Sequence, residues 1–110
     1  MSIKEGVIQA VLGELTPKIN SLDGIYSTKM QSFFEACFSK SSNADKFANC
    51  VYDGTERLKR EQSLLEHKLA YLSLSLDKCL DTKDQDQCRT DALKTGNQVV
   101  TDFTKFLEKL

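Results

Sequence analysis

The sequence predicts an all-α fold: an elongated antiparallel three-helix bundle with an extra N-terminal helix, stapled by two disulfides. Three observations predict it. Apolar residues recur at spacings of three, four and seven along most of the chain, which is the repeat of one helix face. Helix breakers are scarce, with one Pro and five Gly in 110 residues. Four cysteines, Cys37, Cys50, Cys79 and Cys88, bracket two polar turns.

The length fits one domain, 1–110, made of a helix or docking arm over 2–15 and a disulfide-stapled bundle over 17–110. A hydrophobic content of 40% is enough for a helical core. Fifteen basic residues against sixteen acidic ones leave a net charge of −1. The basic footprint of a nucleic-acid binder is therefore missing. There is no apolar run long enough to span a bilayer, so no transmembrane segment is expected. The N-terminus lacks the regions of a secretory signal, and Glu5 and Glu14 argue against an Arg-rich matrix transit peptide.

Ser2 and Glu5 form a capping-box pattern. Ile3, Val7, Ile8, Val11, Leu12 and Leu15 then make one apolar stripe. This helix is either part of the core or a detachable amphipathic arm that docks on a partner through Ile3, Val7, Val11 and Leu15. A membrane-surface role is weaker, because Lys4, Glu5 and Glu14 give the polar face mixed charge. Thr16-Pro17 predicts a stop and restart, since proline suits the first turn of a helix and not its interior.

The stripe resumes as Ile19, Leu22, Tyr26, Met30, Phe33, Phe34, Cys37 and Phe38, a second helix ending near Lys40 and weakened by Asp23 and Gly24. The Phe cluster reads first as core. Its other reading is a recognition face in which Phe33 and Phe34 meet a partner. Ser39 to Asn43 is a turn, and Ser42 or Asn43 can cap the next helix.

The long central helix, about 43–80, carries Phe47, Val51, Leu58, Leu65, Leu69, Leu72, Leu76 and Leu80. At 1.5 Å per residue it is about 57 Å long. Asp53-Gly54-Thr55 is a candidate kink. Arg57 with Glu61 and Glu56 with Arg60 are spaced for ion pairs on a solvated face. Asp81 to Asp84 makes the second turn, and Thr82 with Gln85 has capping-box spacing. The last helix presents Cys88, Ala92, Gly96, Val99, Phe103, Phe106 and Leu110. Short connections make the neighbours antiparallel.

Four cysteines allow three pairings. On a continuous helix Cys50 and Cys79 lie about 43 Å apart, whereas a disulfide needs Cα atoms within about 7 Å. That removes Cys50–Cys79 together with Cys37–Cys88. Cys37–Cys79 with Cys50–Cys88 fails because Cys37 lies beside the start of the helix and Cys79 at its end. Cys37–Cys50 and Cys79–Cys88 remain, one staple per turn. They set Met30 and Phe33 opposite Gly54–Leu58, and Val99 and Phe103 opposite Leu65 and Leu69. The alternative is four reduced, buried thiols in a cytosolic protein.

Zinc is disfavoured, because the cysteine spacings are not those of a zinc knuckle and His67 is remote along the helix. No C-x-x-C redox pair is present. Asp81, Asp84 and Asp86 lack the glycine and glutamate of a calcium loop. No nucleotide, metalloprotease or nucleophile-elbow motif is found, so neither catalysis nor a cofactor is expected.

Met30-Gln31-Ser32-Phe33-Phe34-Glu35-Ala36-Cys37-Phe38 and Phe47-Ala48-Asn49-Cys50-Val51 resemble the first and second cysteine regions of mitochondrial intermembrane-space proteins, the small Tim chaperones and the twin C-x9-C helical hairpins. The resemblance spans about residues 26–90. Single cysteines stand here where small Tims carry C-x3-C pairs. In that family, aromatic residues three or four positions before a docking cysteine guide oxidative import, and Phe33 and Phe34 hold those offsets from Cys37. The resemblance implies the mitochondrial intermembrane space, with the cytoplasm as the alternative. It implies a non-catalytic accessory or assembly subunit of a mitochondrial membrane complex of the respiratory chain, partnered by other protein subunits or by related helical chains. The alternatives are a small-Tim-like chaperone for hydrophobic precursors and a cytosolic or secreted helical adaptor.

Overall fold

The computed structural model describes residues 2–110. It is all-helical and consists of α1 (Ile3–Lys40), α2 (Ala44–Thr82) and α3 (Gln85–Glu108). Each helix is antiparallel to the next, in a rod of 59 × 21 × 19 Å. The two turns are crossed by Cys37–Cys50 and Cys79–Cys88, each with Cα atoms 5.7 Å apart. These are the two pairings that helix geometry allows.

The caps explain where each helix starts. Ser2 accepts from the Glu5 backbone N–H, and Asn43 accepts from that of Lys46. Both satisfy amides that the first turn leaves unpaired. At the second turn the cap is Asp84, whose carboxylate accepts from the backbone N–H groups of Asp86 and Gln87. Thr82, expected to open a capping box, instead closes α2. The central helix thus spans 44–82 rather than about 43–80.

The expected break at Thr16-Pro17 does not occur. α1 runs through Pro17 without interruption, so 2–15 is not a separate helix or arm. Pro17 lacks the N–H that would bond the Gly13 carbonyl, a loss of about 3 kcal/mol in a helix interior. Gly13 is exposed, so water can take that carbonyl. The Thr16 hydroxyl donates to the Leu12 carbonyl at 2.7 Å. On the inner face Val11, Leu15 and Leu22 are all buried. Burying each is worth roughly 1.5–3 kcal/mol, so packing on both sides of Pro17 outweighs the lost bond. Replacing Pro17 with Ala is expected to raise the unfolding free energy by about 2 kcal/mol. Chemical denaturation of the two proteins checks it, and an unchanged midpoint would contradict the cost assigned to Pro17.

The core lies along the rod axis in two clusters. Val7, Val11 and Leu15 meet Leu72, Leu76, Cys88 and Ala92 in the first. Leu22 and Leu58 meet Phe103 and Leu107 in the second. Among the described residues no polar or charged side chain is buried. Gly96 lets α3 approach α1: a Cβ there would sit 2.5 Å from a methyl of Leu15. Gly54 does the same for α2, since a Cβ would overlap the outer edge of the Phe33 ring at Cζ. Asp53-Gly54-Thr55 is therefore a close approach, and α2 continues unbroken through it. The expected register holds, with Phe33 over Gly54 and with Leu65 and Met30 packed on the Leu58–Phe103 cluster.

Candidate functional site

Helix lengths decide where the bundle is incomplete. α3 has 24 residues, or about 36 Å, in a rod 59 Å long. Neither core cluster contains a residue of α1 beyond Met30 or of α2 before Leu58. The last part of α1 and the first part of α2 therefore run on as a two-helix tip, about 15–20 Å long. Inside it Phe33 is buried against Gly54, and Cys37 is buried in its disulfide with Cys50.

Two helices cannot cover their apolar faces as three can. At the tip Phe38 is 74% exposed and Phe34 40%. Phe38 meets Phe47 edge-on, with ring centroids 6.1 Å apart, and Phe34 lies against Phe33 at 5.9 Å. Tyr52 is also exposed. The tip is thus an aromatic surface beside a disulfide, held by the Asn43 cap and by the Ser41 hydroxyl, which donates to the Cys37 carbonyl at 2.6 Å.

The residues expected to meet a partner divide sharply. Val7, Val11 and Leu15 are buried in the protein's own core, which corrects the docking-arm reading of 2–15. Ile3 is exposed at the other end of the rod. Phe33 is interior and Phe34 is available. Phe38 is the most exposed of the tip aromatics, yet its sequence position places it in the same stripe as Phe33 and Phe34. Its exposure depends on where α3 stops, and helix periodicity does not carry that.

The opposite end is tied by charge. Lys4 reaches Asp81 at 2.7 Å and Asp77 at 3.1 Å, and Arg89 reaches Glu14 at 2.9 Å. Hydrogen bonds to Asp81, then to Asp77, hold the Lys4 ammonium above its ordinary pKa of 10.5. Because that pKa is raised on folding, the contribution is complete below 10.5 and is lost as pH rises through the folded value. These pairs are exposed and act locally. The expected pairs on the α2 surface are replaced by Glu56 with Lys59 at 3.6 Å.

A second open surface lies between α2 and α3. It is a groove of about 700 Å³ lined by His67, Lys68, Tyr71, Lys94, Val99 and neighbouring residues. His67 stays on the surface, its Nδ1 donating to the Ser63 carbonyl at 2.6 Å. Among the described residues no three His, Cys, Asp or Glu side chains converge as metal ligands. No described helix is long and apolar enough to cross a membrane. Compared with known proteins, the chain matches no family model, no curated relative and no solved structure.

Proposed function

We propose that this protein is a non-catalytic interaction subunit that works in an oxidising compartment and docks on a protein partner through its aromatic two-helix tip. The observation that carries the reading is the pairing of exposed Phe34 and Phe38 with a disulfide-clamped hairpin that has no third helix. Exposed aromatic side chains on a rigid support are what an interface anchor needs. In its fuller form the proposal is an accessory or assembly subunit of a mitochondrial membrane complex of the respiratory chain, facing the intermembrane space. The disulfides support an oxidising compartment. The cysteine regions that resemble those of the small-Tim and twin C-x9-C chains are what suggest that particular compartment.

The test is sedimentation of the native protein after gentle membrane extraction with thiols trapped. The unaltered chain is expected to travel with a large assembly. The double substitution Phe34→Ser with Phe38→Ser is expected to release it as a 12.4 kDa monomer without loss of helix. A free monomer in both samples would sink the proposal. A second reading, the small-Tim-like chaperone, draws on the groove between α2 and α3 and on exposed Leu64, Tyr71 and Leu74. It requires that the purified chain keep an apolar precursor from aggregating, and inactivity in that assay removes it.

A further inference from the structure

The two disulfides stand in different surroundings. Cys79 and Cys88 belong to the larger core cluster, where Val7, Ile8 and Val11 of α1 pack beside Leu72, Leu76 and Ala92. All three helices meet there, and Lys4 and Arg89 add cross-links of charge. Cutting Cys79–Cys88 would leave that packing in place. Cys37 and Cys50 lie in neither core cluster. Neither core cluster reaches their end of the rod, where Phe33 packs on Gly54 and the Phe38 and Phe47 rings meet edge-on between α1 and α2. The accessibility of the sulfurs does not separate the pairs, because each joins one buried cysteine, Cys37 or Cys88, to one half-buried one. What differs is how much structure must open for a reductant to act. Local openings of thinly packed segments are far more frequent than openings of a three-helix core.

We infer that Cys37–Cys50 is a reducible clasp on the aromatic tip, whereas Cys79–Cys88 is a permanent structural staple. A dithiol reductant supplies the chemistry. Its thiolate attacks Sγ of Cys50, the less buried of the two residues, and the Cys37 sulfur leaves as a thiolate and takes up a proton. The second thiol of the reductant then attacks the mixed disulfide, releasing Cys50 as a thiol and leaving the reductant oxidised. Two electrons and two protons have passed to the protein. Without the bond, 31–40 and 44–57 are two helix ends outside both core clusters, and they separate. Phe34, Phe38 and Phe47 then no longer form one surface. The opening follows from the packing alone; its control of docking rests on the reading of the tip as the docking surface.

The experiment treats the full oxidised chain with graded dithiothreitol, quenches it with an alkylating reagent and maps the modified cysteines. Cys37 and Cys50 are expected to be alkylated roughly ten times faster than Cys79 and Cys88. Hydrogen exchange on the partly reduced protein is expected to rise at least tenfold across 31–57 and to stay unchanged across 58–108. The variant C37A with C50A, which keeps Cys79–Cys88, is expected to show the same exchange pattern while remaining helical. Equal rates for the two disulfides, prior reduction of Cys79–Cys88, or a tip that stays protected once reduced would each overturn the clasp. Failure of docking is read separately: if Phe34→Ser with Phe38→Ser leaves the oxidised protein in its assembly, the docking surface falls and the clasp stands.

Discussion

A chain with all four cysteines replaced by alanine is expected to lose roughly 5–6 kcal/mol of unfolding free energy. The staples close loops of 13 and 9 residues, and each restricts the unfolded chain by about 3 kcal/mol, with about 0.3 kcal/mol between them. Domains of this size are stable by about 5–15 kcal/mol. Loss of both staples therefore removes a large share of the total, or all of it. Burial adds to the entropic term, because Cys37 and Cys88 are each 1% exposed and alanine leaves their sulfur volumes empty. Urea unfolding of the oxidised chain and the variant checks this. The midpoint is expected to fall steeply, and the slope to rise as the unfolded state expands. A variant within about 2 kcal/mol of the parent would show that the core alone holds the rod.

The second large effect is expected at the contact between α1 and α3. Leu15 is fully buried, with its methyls where a Cβ on Gly96 would lie. Leu15→Ala is expected to cost about 3–4 kcal/mol, the sum of lost burial and an unfilled cavity. Gly96→Ala is expected to cost about 1 kcal/mol, because its overpacking of roughly 1–3 kcal/mol is offset in part by better helix propensity. The two are not independent. The cavity left by Leu15→Ala is where the new methyl of Gly96→Ala goes, so the double variant is expected to recover at least about 1 kcal/mol relative to the sum. Denaturation of the four proteins gives the coupling directly. Simple additivity would mean that α1 and α3 shift apart instead of interlocking at this point.

Much of the fold is legible in the sequence because helix faces and cysteine reach are local or nearly local properties. A continuous helix cannot bring Cys50 to Cys79, so the pairing and the register are fixed with it, and Phe33 over Gly54 is one result. Ser2 can be read as a cap from type and position, and so can Ser42 or Asn43, of which the structure uses Asn43. At the second turn Thr82 and Asp84 are both capping types, and the turn geometry selects Asp84. Pro17 reads as a break because its local cost is large, while the compensating burial of Val11, Leu15 and Leu22 is contributed by two other helices.

The candidate site shows the same division. Spacing puts Phe33, Phe34 and Phe38 on one stripe beside Cys37, since the arrangement of side chains around a helix depends on that helix alone. Spacing cannot say which of them is buried. That is decided by where α3 ends along the rod: past that point α1 has one neighbour instead of two, so Phe33 is enclosed and Phe34 and Phe38 face solvent. By itself the sequence determined the helical character of the chain, the antiparallel pairing and the staples, because these depend on short-range geometry; that α1 runs through Pro17 was decided by packing. Only the tertiary structure decided which apolar side chains remain available to a partner, because exposure is set by the neighbour that is absent.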